Sequence, residues 1–255
     1  MQIKSFVLDK EKVIFQDLGI IPYKNAWDIQ ENLVKTNLEI KSNNRKFQTI
    51  DFPKEHNTSI AHEDTSHYLL FCEHPPVYTL GKSGNISNVL ITEEELEDKE
   101  IEFFKTNRGG DITFHGLDQV VGYPILDLEK FYTDIGKYLR NLEEVIIRTI
   151  AEYKIVGERS KGETGVWIQS GIPGKERKIC AMGIRCSRWI TMHGFALNVN
   201  TDLSYFDNII PCGIVNKKVT SIEKEIGGKT YMKEVKEKLK FHFSEVFNIE
   251  YNNTI

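Results

Sequence analysis

Residues 165–199 read GVWIQSGIPGKERKICAMGIRCSRWITMHGFALNV. Three strand-like runs share this stretch: Gly165 to Gln169, Lys178 to Cys186, and Trp189 to Val199. The segment between the first two, Ser170 to Arg177, holds Gly171, Pro173 and Gly174 and reads as a hairpin loop. If the middle run is a strand, alternation puts Lys178, Cys180, Met182 and Ile184 on one face. A lysine aligned with apolar side chains is unusual. Either it snorkels at the strand's end or it is held near a functional group.

Upstream, Tyr68 to Glu73 is a short apolar run that predicts a strand, broken by His74-Pro75-Pro76. Val77 to Leu80 predicts a second strand ending at Gly81, and Val120 to Leu128 reads as a buried strand. Pro22 to Asn43 predicts a helix, with Ala26, Trp27, Leu33, Val34 and Leu38 at helical spacing and Pro22 suited to a first turn. Asp134 to Tyr153 carries an apolar stripe of Ile135, Leu139, Leu142, Val145, Ile146 and Ile150. Tyr231 to Phe247 carries Val235, Leu239, Phe243 and Val246. Thr92 and Glu95 form a capping-box pattern at the start of an acidic stretch. No repeat or linker-like composition shift divides the chain, so one α/β (α+β) domain over residues 1–255 is expected, with the helix at 231–247 appended. Arg45 to Ser66 is polar and aperiodic and reads as a surface insertion. His56, His62, His67 and His74 lie in or near it at spacings that fix no metal, and are expected at the surface.

The length of 255 residues fits one large domain or two small ones. A hydrophobic share of 40% with 27% charged residues suits a globular protein with a sizeable core. A formal net charge of -4 supplies no basic field for nucleic acid. No apolar run approaches a membrane span, so no membrane association is expected. Met1 to Phe15 has neither an apolar signal core nor an Arg-rich, acid-poor composition, which makes the cytoplasm the default location. The cysteines at 72, 180, 186 and 212 form no CxxC pair and no zinc spacing. No metal and no cofactor is expected.

Three segments are wrong for plain core. In Arg108-Gly109-Gly110-Asp111-Ile112-Thr113-Phe114-His115-Gly116, adjacent glycines allow close backbone approach, bracketed by Arg108 and His115. It reads equally as a turn or a ligand loop. The second is Lys178-Ile179-Cys180-Ala181-Met182-Gly183. In the third, Pro211-Cys212-Gly213, proline fixes its own backbone angle and glycine frees the angle after the cysteine. Cys212 is then either an inert turn residue or a projecting nucleophile. A free thiol has a pKa of about 8.5 and needs a nearby cation to ionise near neutrality. Lys178 is the charge hardest to place otherwise, which suggests a Cys212–Lys178 dyad.

These residues resemble the lipoyl(octanoyl) transferases of the biotin/lipoate protein ligase superfamily. Cys72 to Gly81 resembles CEHPPVxTxG, and Arg108 to Gly116 resembles RGGxxTxHG, with Gln119 and Tyr123-Pro124 continuing the block. Gly165-Val166-Trp167, Lys178-Ile179 with Gly183-Ile184-Arg185, His193 to Val199, and Pro211-Cys212-Gly213 resemble GVW, KIxxxGxR, HGxALNV and PCG. The likeness covers roughly residues 10 to 225. It departs at Leu117-Asp118, where the family usually has Pro-Gly.

The resemblance implies a ligase-like fold, a mixed and largely antiparallel sheet flanked by helices. It implies an acyltransferase with Cys212 as the acyl carrier and Lys178 as the residue that adjusts its thiol. Arg108, Gly109, Gly110, Asp111, Ile112, Thr113, Phe114 and His115 would line an acyl pocket, with Ala181, Met182 and Gly183 and with His193, Gly194 and Phe195. Octanoyl-acyl carrier protein would be the donor, and lipoyl domains of 2-oxoacid dehydrogenases or the glycine cleavage H protein the acceptors. Lys217 and Lys218 are candidates for a basic patch facing such carriers. The rival readings are an ATP-dependent lipoate or biotin ligase, a lipoyl-domain amidotransferase, and a non-catalytic carrier-binding protein.

Overall fold

The computed structural model describes residues 10–49, 62–210 and 218–252. In chain order its strands are β1 (Glu11–Ile20), β2 (His67–Glu73), β3 (Val77–Leu80), β4 (Glu102–Lys105), β5 (Ile112–His115), β6 (Gln119–Ile125), β7 (Glu158–Arg159), β8 (Val166–Ile168), β9 (Arg177–Ser187), β10 (Ile190–Asn198), β11 (Lys218–Val219) and β12 (Ile249–Asn252). The α-helices are α1 (Tyr23–Thr49), α2 (Glu93–Asp98), α3 (Ile135–Ala151), α4 (Ile222–Ile226) and α5 (Met232–Phe247).

Among the described residues a mixed sheet runs β12-β1-β2-β6-β10-β9-β8-β7, and a smaller sheet runs β4-β3-β5. The large sheet is antiparallel through its centre, from β2 to β7, and parallel at the β2-β1-β12 edge. The short strand β11 runs parallel to β9 at Arg177 and Lys178, beyond the last residues that β9 shares with β10.

Strand alternation builds two cores. Leu69 and Phe71 of β2 pack with Val120, Leu197, the α3 stripe (Leu142, Val145, Ile146, Ile150) and Val235, Leu239 and Phe243 of α5. Leu70 and Cys72, one residue out of phase, pack on the opposite face with Val121, Tyr123 and Ala196 under Ala26 and Val34 of α1. Each fully buried Leu or Phe contributes about 2 kcal/mol of apolar transfer. A third cluster joins the small sheet to Phe206 and Ile209.

The caps follow local chemistry. Thr92 and Glu95 close the expected capping box on α2, and the Asp134 side chain accepts from Lys137 N at the start of α3. α1 extends further than its apolar pattern, through 45–49. Arg45 and Lys46 are exposed there and need no apolar stripe, and both are good helix formers. Residues 62–66 are irregular, with Ser66 held at both backbone groups by the Asn37 side chain; 50–61, including His56, fall outside the described residues.

Two histidines expected at the surface are buried. His74 donates from Nδ1 to Ile21 O at 2.7 Å and accepts the Tyr123 hydroxyl at Nε2 at 2.8 Å. His67 accepts from Asp127 N and pairs with Glu11. A backbone carbonyl and a tyrosine hydroxyl satisfy the His74 ring, and a backbone N–H and a carboxylate the His67 ring, partnerships that spacing does not reveal. Among the described residues no three His, Cys, Asp or Glu gather as a metal site, and no helix is long and apolar enough to cross a membrane.

Candidate active site

A cavity of about 830 Å³, its open mouth included, lies between the α1 face of the large sheet, the first turn of α1, and the loop that enters the small sheet. Its floor comes from β9, β10 and β6 in cross-strand rows. Asn198 faces Gln119, Ala181 faces Ala196 which faces Val121, and Gly183 faces Gly194. All seven line the cavity.

Lys178 also lines it, and the reason is a bulge. Trp167 pairs with Lys178 but Val166 pairs with Cys180, so Ile179 is an extra residue in β9. Strict alternation places Lys178 on the face of Cys180 and Met182. The bulge reverses the phase: Ile179, Cys180 and Met182 join the α3 core, while Lys178 reaches the cavity with its Nζ 4.5 Å from the centre of the Trp167 ring. Its backbone is pinned by β11, with Thr220 N donating to Lys178 O at 2.9 Å. Gly165, at φ +109, sits over Cys180 O where a Cβ would come within 2.5 Å, and its N–H donates to the fully buried Glu143 carboxylate.

The loop 108–116 forms the opposite wall. Arg108 organises it from within: Nη2 donates to Thr79 O, Thr79 Oγ1 and Asp111 O, and Nη1 to Gly109 O. Gly110 needs its freedom at φ +90. The close approach anticipated in this loop falls on its neighbours, since a Cβ on Gly183 would lie 2.6 Å from Gly109 O and one on Gly81 2.3 Å from Gly110 O.

Of the residues singled out in the sequence, Arg108, Gly110, Asp111, Ile112, Thr113, His115, Lys178, Ala181, Met182, Gly183, His193, Gly194 and Phe195 line this one cavity. Gly109 and Phe114 do not. Gly109 anchors the loop through its N–H to Ile184 O at 2.8 Å. Phe114 alternates to the other face of β5 and stacks on Tyr205 at 4.5 Å. Cys212 lies outside the described residues, as does Lys217; Lys218 is exposed on β11. The sequence reading missed Tyr23, Thr164, Phe206 and Val219 as lining residues, which carry no local signal. It also passed over Gln119, Tyr123 and Asn198, although these were legible within the motif blocks.

The buried histidines are held neutral. Burial first, then the Arg108 and Arg185 charges, pushes His193 down to about 3; burial takes His74 to about 4. Burial, His74 and Arg108 hold His115 well below the usual range. The unfolded chain protonates these rings below about pH 6.5 and the folded one does not, so folding stability is complete above that pH and falls as pH drops toward 4. We expect a loss on the order of 1 kcal/mol per pH unit for each such histidine between pH 6 and 4.5. Urea melts across that range check it, and a flat midpoint would contradict the assignment.

The family model described as Lipoyl protein ligase A/B catalytic domain matches residues 46–244. A Christiangramia forsetii protein named Octanoyltransferase is 56% identical over 241 residues, covering 94% of this chain and 97% of its own. The chain belongs to the lipoyl protein ligase A/B catalytic domain family. A Flavobacterium psychrophilum member, also named Octanoyltransferase, is 58% identical over 91% of this chain and 95% of its own. The family fold is visible as well in the bipartite lipoate protein ligase of Thermoplasma acidophilum, with a TM-score of 0.64 at 16% identity over 96% of this chain and 87% of that one.

Proposed function

We propose that the protein is an octanoyltransferase of lipoate biosynthesis, acting in the cytoplasm. It moves octanoyl from octanoyl-acyl carrier protein to a lysine of lipoyl domains through a thioester on Cys212. The observation that carries the reading is the bulge that turns Lys178 onto an apolar cavity floor beside β11, the strand that follows the Pro211-Cys212-Gly213 segment. The relatives' name supplies the acyl group.

The Cys212 thiolate attacks the donor's thioester carbonyl. A new C–S bond forms, the old one breaks, and the departing carrier thiolate takes a proton from the Lys178 ammonium. The acceptor amine then attacks the acyl-enzyme. The C–N bond forms, the thiolate of Cys212 leaves, and the amine's proton returns to Lys178. One thioester is exchanged for another before the more stable amide forms, so the sequence needs no ATP. The enzyme's task is orientation of two carrier-bound groups. Burying an eight-carbon chain supplies about 0.8 kcal/mol per methylene for it.

Incubation with octanoyl-acyl carrier protein, without ATP, is expected to add one octanoyl mass to Cys212, and Cys212→Ala should abolish both adduct and transfer. Transfer that survives Cys212→Ala and requires ATP would instead indicate a ligase.

A further inference from the structure

The cavity floor changes character along its strands. The first row is polar and occupied with itself: Gln119 Nε2 donates to Asn198 Oδ1 at 2.8 Å, and Asn198 Nδ2 to Thr220 O at 2.9 Å. On β9 and β10 the third row, Gly183 and Gly194, has no side chains and no room for any. A Cβ on Gly183 would meet Gly109 O at 2.6 Å, and one on Gly194 would meet Gly122 O at 2.2 Å and Pro124 Cδ at 2.7 Å. The loop 108–110 therefore rests on Gly183, while Gly122 and Pro124 of β6 fill the space at Gly194, and together they close that end of the floor. Between the two rows lies Ala181–Ala196, with Val121 beside it. This row alone faces the cavity with small apolar side chains.

We infer that the Ala181–Ala196 pair is the gauge that sets which acyl lengths the cavity accepts. This rests on the acyl-transfer reading above, with the reacting carbonyl at the Lys178 end. Rows lie about 7 Å apart, two residues at about 3.4 Å each. An alkyl chain anchored at the polar row must cross the alanine row before it meets the closed glycine row. Methyl groups leave that path open. A larger side chain on either alanine occupies it and stops the chain after its first few carbons, whereas the glycine row offers no such adjustment because backbone already fills the space.

The test compares kcat/KM for butanoyl-, hexanoyl- and octanoyl-acyl carrier protein in the wild type, Ala181→Val, Ala181→Leu and Ala196→Val. Each methylene that loses its buried site lowers the rate for that donor roughly fourfold. The octanoyl-to-hexanoyl ratio should therefore fall about tenfold or more in Ala181→Leu, by less in Ala181→Val, and in the same direction in Ala196→Val. Ala181 is only partly buried, so its variants carry the test even if Ala196→Val does not fold. A ratio unchanged within about threefold, or an equal loss at every length, overturns the gauge while leaving the acyl-transfer reading in place. A wild type that transfers no acyl group at any length fails the reading itself, and the gauge with it.

Discussion

Lys178→Ala should fold normally yet transfer octanoyl between roughly 100-fold and 10,000-fold more slowly, the range typical for loss of a positioned acid–base group. The fold survives because what holds this position is backbone: the β8 and β11 ladders and the Thr220 N–H all bond to main-chain atoms. The side chain adds its contact over the Trp167 ring, worth about 1 kcal/mol. On the proposed mechanism the chemistry should not survive, because no ammonium remains to favour the Cys212 thiolate or to protonate the departing carrier thiolate. Alkylation of Cys212 followed against pH separates this role from a structural one. In the variant its apparent pKa should rise toward that of an unassisted thiol, about 8.5. An alkylation profile identical to the wild type would break the pairing of the two residues.

Gly183→Ala should lower kcat/KM about 100-fold although the added methyl touches no reacting atom. That methyl would lie 2.6 Å from the Gly109 carbonyl oxygen and 3.2 Å from the Arg108 side chain. Neither can yield cheaply, since Gly109 N is bonded to Ile184 O and the Arg108 guanidinium is bonded to three carbonyls and the Thr79 hydroxyl. The loop must lift as a unit, and a displacement of about 1 Å in a positioning element costs on the order of 100-fold in rate. Overpacking should also cost about 1–3 kcal/mol in stability. Gly109→Ala is the matched control, because its Cβ would meet only Ile184 O, at 3.4 Å. Equal effects from the two substitutions would refute close loop–strand contact at Gly183.

Much of this was legible in the sequence because apolar side chains record their own surroundings. The periodicity of Leu142, Ile146 and Ile150 predicts α3, and the motif segments hold most of the residues that line one cavity. The misses have physical causes. β1 was unread because Val13 is its only fully buried residue, so its half-exposed faces leave no apolar alternation to read. His74 was taken for a surface residue because its partners, Ile21 O and the Tyr123 hydroxyl, are distant in the chain. Phe114 was assigned to the cavity because a motif lists consecutive residues, while a strand shows them alternately to opposite sides.

The residue inserted at Ile179 has a broader meaning. A strand normally ties its two sides together: any change of frame that helps one harms the other. Here the inside-to-outside order switches midway, so the hydrophobic filling against α3 and the proposed reactive end beside β11 answer to different frames of the same segment. Selection can then tune the chemistry at one end without repacking the interior at the other. Regular alternation through Lys178, Ile179 and Cys180, with no residue bulged out, would drive the charged side chain into the oily interior and bring a greasy one to the cavity.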